Sequence, residues 1–225
     1  MKRLKANGFY FGDGKIEFPE PYVSVTKVLS GLSPANPLIN WASKTTAQII
    51  LDNPSIITVD EATLAFRNHS KIATTRGTGV HNIYKEWILD GKTPPKLDQY
   101  KGYIKGLEKF IFDHNPTHLH KDLIVYSHKH KFAGELDSID RLSGGAVWLL
   151  DLKTGNTYPE HTIQLSAYYI ALKEMGIDID RMGILNLPGE NNYILSEREP
   201  REGAFLKQLA FWNEWYGPNA RIKVK

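Results

Sequence analysis

The stretch LLDLKTG, residues 149–155, joins an apolar run to a pair of opposite charges. Leu149 and Leu150 are typical of a sheet interior, whereas Asp151 and Lys153 follow two positions apart. Because side chains alternate across a strand, Asp151 and Lys153 share one face. Charged side chains at the end of a buried strand are usually paired or bound to a ligand. The stretch therefore predicts a buried strand that ends in a functional site.

The residues before this strand predict an antiparallel hairpin. Ser143-Gly144-Gly145 is a hairpin turn signal, and symmetric pairing about Gly144 places Asp137 opposite Asp151. Facing carboxylates repel each other, and a hard cation such as Mg²⁺ takes carboxylate oxygens as ligands. We therefore expect a metal site here, where the Lys153 ammonium holds a phosphate, orients a water or offsets transition-state charge. A salt bridge at the sheet edge is the alternative for an Asp-x-Lys pair alone.

The composition excludes several classes of protein. None of the 225 residues is cysteine, which excludes a disulfide scaffold, a cysteine nucleophile and a thiolate-held iron–sulfur cluster. The chain has no P-loop motif and no apolar run of about 18 residues that would span a membrane. We expect a cytoplasmic protein with no membrane partner. The net charge of +3 permits a polyanionic partner without indicating one.

The hydrophobic pattern predicts an α/β (α+β) fold in which helices flank a central mixed β-sheet. Helices are expected over 39–51, 60–90 with a break near 76–79, 98–113, 161–175 and 200–216. Strands are expected over 122–132, 133–142, 146–154 and 182–187. We interpret residues 1–225 as one domain, with an N-terminal segment and helix (1–60), a catalytic core (76–190) and a C-terminal helix and basic tail (200–225).

Five motifs follow one another between residues 22 and 172. They are SVTKVLS (24–30) before Trp41, Gly77-Thr78-x-x-His81, Gly134-x-x-Asp137, Asp151-x-Lys153-Thr154 and Gln164-x-x-x-Tyr168. This order resembles the RecB-like and phage-type exonuclease branch of the PD-(D/E)XK nuclease superfamily, which includes the mitochondrial genome maintenance exonuclease. Many members carry a Glu on the strand before Gly-x-x-Asp. Here Asp122 stands at that place, and its role stays open.

The resemblance implies a restriction-endonuclease-like core and a role for each matching residue. Asp137 and Asp151 bind one or two Mg²⁺ or Mn²⁺ ions, with His81 and the backbone carbonyl of Leu152 as further ligands. Lys153 helps to position the attacking water. The remaining residues of the implied site contact substrate: Arg76, Thr154, Gln164 and Tyr168, of which the last two share one helix face and contact the DNA backbone or Lys153.

The resemblance favours a phage-type or RecB-like exonuclease that acts on DNA ends or single strands and leaves a 5′-phosphate and a 3′-hydroxyl. A structure-specific or restriction-type endonuclease with the same site and a non-catalytic nucleic-acid-binding module are the alternatives. A homo-oligomer, a single-strand annealing or replication partner, and a role in recombination or repair in a bacterial or phage-infected cell also stay open.

Other polar and aromatic residues are expected to be structural or exposed. The pairs His118/His120 and His128/His130 are expected in structural or surface roles, with a zinc site as the alternative. Asp140 falls on the hairpin face opposite Asp137 and is expected to be solvated. Trp212 and Trp215 are expected to pack within the core or against helices.

Overall fold

The computed structural model describes residues 4–30, 35–56, 58–91, 98–121 and 123–217. The strands are β1 Lys5–Ala6, β2 Phe9–Gly12, β3 Glu17–Ser24, β4 Thr117–Lys121, β5 Ile124–Ser127, β6 Phe132–Glu135, β7 Ser138–Arg141, β8 Val147–Lys153, β9 Arg181–Asn186 and β10 Ile194–Arg198. The helices are α1 Val25–Leu29, α2 Ala35–Asp52, α3 Val59–Asp90, α4 Lys101–His114, α5 Pro159–Glu174 and α6 Glu202–Trp215. Two predicted features, Asp122 and the basic tail at 221–225, lie outside the described residues.

The strands form two mixed sheets with helices packed around them, which confirms the predicted fold class. The first sheet has the order β1-β2-β3-β6-β5 and the second has the order β10-β9-β8-β7-β4. Each contains one parallel pair, β3 with β6 and β8 with β9, and the other neighbours are antiparallel. We predicted one central sheet, whereas the strands divide between two sheets.

The chain crosses from one sheet to the other at Leu136 and Asp137, within a run that was predicted to be one strand over 133–142. Strand β6 ends at Glu135 in the first sheet, and β7 begins at Ser138 in the second. Leu136 is 1% exposed and packs in the core between them. Asp137 therefore lies at the junction and pairs with neither ladder.

The expected strand over 122–132 is also interrupted. It contains β5, a turn, and the first residue of β6. The described residues also add strands that were not predicted, β1, β2, β4 and β10. The turn is closed by the Ser127 hydroxyl, which accepts a hydrogen bond from the His130 N–H at 2.9 Å. Lys131 takes a left-handed backbone conformation with φ 59°. The run that was predicted to be one strand therefore forms the first strand and the turn of a hairpin.

The predicted register of the β7–β8 hairpin is confirmed. Ser138 pairs with Leu150, and the ladder runs to Arg141 opposite Val147. The turn between the strands uses Gly144 and Gly145 at φ 94° and 88°, a region that glycine occupies without steric cost. Extending this register by one pair brings Asp137 beside Asp151 at the end of the hairpin.

Helix α3 is continuous over 32 residues, so the predicted break near 76–79 is wrong. Two glycines occupy this part of α3 because neighbouring groups approach closely. A Cβ at Gly77 would lie 3.3 Å from the Thr154 Oγ1, and a Cβ at Gly79 would collide with the Tyr100 hydroxyl. The glycines thus permit α3 to pack closely against the end of β8 and the start of α4.

The two faces of β8 pack into different parts of the core. Leu149 lies with Met182 and Ile184 on the face covered by α5, whereas Leu150 and Leu152 pack with residues of α3 and α4. Asp151 and Lys153 continue the α5 face. Trp212 of α6 is buried as expected, but Trp215 is 64% exposed and does not pack in the core. No helix within the described ranges is long and apolar enough to cross a membrane.

Candidate active site

Asp151 and Lys153 form an ion pair at the end of β8, in which Asp151 is buried and Lys153 is partly exposed. Asp151 is 3% exposed, and the Lys153 Nζ lies 2.5 Å from its Oδ2. Apart from this charge contact, the Oδ2 accepts no hydrogen bond from any described residue. A carboxylate withdrawn from water requires compensating charge, and Lys153 supplies it. The strand end therefore holds one buried carboxylate oxygen with the Lys153 ammonium beside it.

Asp137 completes the cluster from the junction between the sheets. Its Oδ2 accepts a hydrogen bond from the Leu152 N–H at 2.8 Å, and its Oδ1 lies 3.2 Å from the Nδ1 of His81. Because the Leu187 N–H donates to the Lys153 carbonyl, the backbone groups of Lys153 are turned towards β9. Those of Leu152 are turned the other way, towards Asp137. The structure thus brings His81, Asp137, Asp151, Leu152 and Lys153 together.

The two carboxyl groups have opposite pKa shifts. Burial raises the pKa of Asp151 to about 6; Lys153 opposes the increase and Asp137 adds to it. Burial acts in the same direction on Asp137, but the hydrogen bond from His81 and the charges of His81 and Lys153 outweigh it and lower its pKa. Asp137 is therefore the more firmly ionised group, and Asp151 is the one whose charge is costly to bury.

Gln164 and Tyr168 lie one turn apart on α5. The Gln164 Nε2 donates to the Tyr168 hydroxyl at 2.9 Å, and burial keeps the pKa of Tyr168 above its ordinary value. A Cβ at Gly134 would collide with the Tyr168 ring, so this glycine makes room for it. The Gly-x-x-Asp and Gln-x-x-x-Tyr motifs are therefore packed against each other.

A cavity of about 200 Å³ opens beside Asp137, Gln164 and Tyr168. Its lining is largely polar and includes two lysines, two acids and four hydroxyl side chains: Lys5, Lys85, Glu135, Asp137, Ser24, Thr26, Tyr10 and Tyr168. A phosphate-bearing ligand would find cationic and hydrogen-bonding groups there. The cavity joins the acidic cluster to the first sheet.

Two other predicted substrate residues lie on the α3 side of the site. Thr154 faces Gly77, where the missing Cβ leaves room for its hydroxyl. The Arg76 guanidinium lies over the Tyr103 ring, 5.9 Å from the centroid, and none of its described contacts reaches the carboxylates. The structure therefore places Thr154 at the end of β8, and it places Arg76 against Tyr103, away from the carboxylates. Asp122 lies outside the described residues.

Two residues near Lys153 were missed by the motif analysis. Asn186 pairs in register with Lys153, and its buried Oδ1 has no hydrogen-bond partner within the described part of the chain. The His161 Nδ1 accepts from the Tyr158 N–H at 3.1 Å, and burial together with the charge of Lys153 lowers its pKa to about 4. Asn186 also ends an apolar strand in a polar side chain, the same signal that singled out Lys153. His161 precedes Gln164 by one helical turn.

The expectation that Asp140 is solvated was wrong. Asp140 is 0% exposed and accepts hydrogen bonds from Tyr84, Ser138 and His118. Alternation had placed its side chain away from Asp137, but β4 and α3 cover that face. His118 is accordingly structural, and the His128 Nδ1 lies 2.7 Å from the Tyr22 hydroxyl.

The donor atoms of the acidic cluster are suited to a hard divalent cation, although no group of three or more His, Asp or Glu side chains within the described ranges is already arranged around an ion position. His81, the Leu152 N–H and Lys153 now hold the carboxylate oxygens. A divalent cation would have to replace these contacts before it could take the carboxylate oxygens as ligands.

Comparison with known proteins gives weak similarities. No family model and no curated protein matches the chain. The alkaline exonuclease LHK-Exo from Laribacter hongkongensis, solved with dAMP, is 13% identical, with coverage of 88% of this chain and 89% of that chain and a TM-score of 0.45. A second LHK-Exo structure is 14% identical, with coverage of 91% of this chain and 95% of that chain and a TM-score of 0.39. A protein named SSO0001 is 15% identical, with coverage of 56% of this chain and 68% of that chain and a TM-score of 0.31.

Proposed function

We propose that this chain is a metal-dependent deoxyribonuclease that hydrolyses phosphodiester bonds with water and acts on DNA ends as an exonuclease. The observation that carries the proposal is that Asp137 lies close to Asp151 at a strand end, with Lys153 beside the buried oxygen of Asp151. Two neighbouring acids and a lysine, with no cysteine anywhere in the sequence, favour attack by water over attack by a side chain.

Asp137 and Asp151 would hold one or two Mg²⁺ or Mn²⁺ ions, with His81 and the backbone carbonyl of Leu152 as further ligands. Such a cation supplies Lewis-acid activation of the water and of the phosphate. Asp151 gains most from it, because the burial that raises its pKa disfavours its charged form until a cation compensates for the charge. The pKa of Asp137 is already lowered, so this carboxylate is ionised before any ion arrives.

Lys153 has two tasks in this proposal. Without a divalent cation, its ammonium offsets the charge of Asp151. Once a cation shares that charge, the three N–H donors of the ammonium become available to orient the water or a phosphate oxygen. Loss of Lys153 would therefore impair the chemical step and would also leave the charge of Asp151 uncompensated in the metal-free protein.

Gln164 and Tyr168 bind the DNA backbone in this proposal, together with Thr154 and Arg76. The Tyr168 hydroxyl accepts a hydrogen bond from one N–H of the Gln164 amide and so fixes the orientation of that amide. The second N–H and the amide oxygen are left to contact substrate. The cavity beside Asp137 is lined by Lys5 and Lys85 as well as by Glu135, and its two ammonium groups would contact a phosphate in this proposal.

The proposal extends to partners and cellular setting. DNA ends or single strands are the substrate, a homo-oligomer would close a channel around the strand, and a single-strand annealing or replication protein would act with the nuclease. Such a phage-type or RecB-like enzyme would work in recombination or repair in the cytoplasm of a bacterial or phage-infected cell. Sedimentation of the protein with and without DNA tests the oligomer.

The decisive experiment compares end-labelled linear DNA with closed circular DNA in Mg²⁺ or Mn²⁺. We expect linear DNA to be degraded, circles to survive, and both EDTA and Lys153→Ala to abolish hydrolysis. Lys207→Ala is the matched control, because this exposed lysine lies on α6. Cleavage of circles would instead establish an endonuclease with the same site. DNA binding without any cleavage would overturn the nuclease and leave a nucleic-acid-binding module.

A further inference from the structure

A buried polar cluster lies directly behind the acidic site. It consists of Tyr84 on α3, His118 on β4, and Ser138 and Asp140 on β7, and we call it the Asp140 cluster. The Asp140 Oδ2 accepts from the Tyr84 hydroxyl at 2.5 Å and from the Ser138 hydroxyl at 2.8 Å. The Asp140 Oδ1 lies 2.5 Å from the His118 Nδ1. One carboxylate thus links three elements.

The cluster is removed from solvent. Asp140 is 0% exposed, the His118 side chain is 4% exposed and Tyr84 is 2% exposed. The His118 Nε2 is buried without a hydrogen-bond partner in the described part of the chain. Well-packed apolar side chains often stabilise a core as much as such a cluster does, so buried ionic groups are weak evidence for a role in stability alone. Their directional hydrogen bonds instead fix the relative position of the elements that they join.

Two members of the cluster adjoin two members of the acidic site. Ser138 directly follows Asp137, and Tyr84 follows His81 by three residues, on the same face of α3. The contact of 3.2 Å between His81 and Asp137 therefore depends on how α3 is held against the start of β7. The Asp140 Oδ2 receives one hydrogen bond from each of these elements.

We propose that Tyr84 and Asp140 are positioning residues, which hold α3 against β7 so that the His81 imidazole stays on Asp137. They touch neither substrate nor metal in this proposal and act only through His81. His118 supports the other oxygen of Asp140 from β4. The effect on metal binding rests on the proposed function. The contact between His81 and Asp137 does not, because it is present in the protein without metal.

The first test needs no metal and uses Tyr84→Phe, which keeps the ring and removes the hydroxyl. The His81 imidazole signal is identified in the NMR spectrum of the metal-free protein by its loss in His81→Ala. We expect Tyr84→Phe to shift this signal. Tyr22→Phe, which removes a tyrosine–histidine contact in the other sheet, should leave it in place. An unchanged His81 signal in folded Tyr84→Phe would overturn the inference, whether or not the protein cuts DNA.

The second test is a double-mutant cycle on Mn²⁺ affinity, measured by titration calorimetry. Tyr84→Phe should weaken Mn²⁺ binding by about 10-fold, as loss of a group that orients a metal ligand does. In the His81→Ala background the same change should have almost no effect, because the residue through which it acts is gone. An equal loss in both backgrounds would refute action through His81. A shifted His81 signal in a protein that binds no Mn²⁺ would uphold the positioning role and reject the metal site.

Discussion

Gly134→Ala should displace the Tyr168 ring, which lies within the candidate site. A Cβ built at Gly134 overlaps the Tyr168 Cε1, and the neighbouring Cδ1 and Cζ lie at 3.3 Å, inside the ordinary contact distance of about 3.5–4.0 Å. The ring is 3% exposed and its hydroxyl is held by Gln164, so it has little room to move. Inserting one carbon into such packing costs about 1–3 kcal/mol of unfolding free energy.

The assays follow from this overlap. For a chain of this length, each kcal/mol corresponds to about 2–4 °C, so we expect the melting temperature of Gly134→Ala to fall by about 2–12 °C. A ring displaced by about 1 Å also displaces Gln164, and we expect DNA hydrolysis to drop by about 10²-fold. Gly203→Ala is the control, because nothing lies within 4 Å of a Cβ there.

Two results would refute the reasoning. The first is a Gly134→Ala protein that melts and cuts DNA like the wild type, which would mean that the glycine is not needed to accommodate the ring. The second is an unchanged stability penalty of Gly134→Ala in a Tyr168→Leu background. Removing the ring removes the overlap, so the penalty should then shrink.

Three further predictions concern polar groups around Lys153. The contributions of Asp151 and His161 oppose each other between about pH 4 and 6, so each is measured by urea denaturation as the difference in unfolding free energy between wild type and variant. Because the pKa of Asp151 rises from 3.8 to about 6 on folding, the metal-free wild type should lose stability relative to Asp151→Asn as the pH rises through this window. Because the pKa of His161 falls from 6.5 to about 4, the wild type should lose stability relative to His161→Gln as the pH falls through it, and a difference that stays constant with pH would exclude this. Asn186→Leu should raise the melting temperature, since it removes a buried oxygen without a partner among the described residues, at a cost of about 1–3 kcal/mol to the wild type. Asn186→Leu should also lose DNA hydrolysis. If Asn186→Leu were less stable than the wild type and still cut DNA, the Asn186 amide would be structural and not functional.

The hairpin that carries the acids could be predicted because its determinants are local. Two glycines fix the turn, and the period of two fixes which side chains of β8 share a face. The register then brings Asp137 beside Asp151 with no knowledge of the rest of the chain. Asp-x-Lys at the end of an apolar run could likewise be interpreted locally, because the alternation of side chains alone places both charges on one face of the strand.

The junction at Leu136 and Asp137 could not be predicted in the same way. Residues 133–142 alternate as a single strand would, and only the packing of Leu136 between the two sheets shows that the strand is interrupted. The continuous course of α3 was hidden by Gly77 and Gly79, whose role depends on Thr154 and Tyr100 elsewhere in the chain.

The burial of Asp140 is the clearest long-range effect. A lone acid on the outer face of a hairpin is normally solvated, and its partners Tyr84 and His118 stand 56 and 22 residues away. No pattern within a strand indicates such partners. The only hint in the sequence was His118 in a β-rich region, and a histidine there is more often exposed or packed for other reasons than bound to a buried acid.

Asp137 and Asp151 are held in different ways. Asp151 belongs to the ladder between β8 and β9, opposite Ile184, so its backbone is fixed by the sheet. Asp137 belongs to neither ladder and is held by the Leu152 N–H and by His81. The sheet thus fixes Asp151, whereas the position of Asp137 depends on two side-chain contacts. If the pair holds a divalent cation as proposed, the Asp137 side chain would be the one that adjusts to the radius of the ion, while both sheets stay as they are.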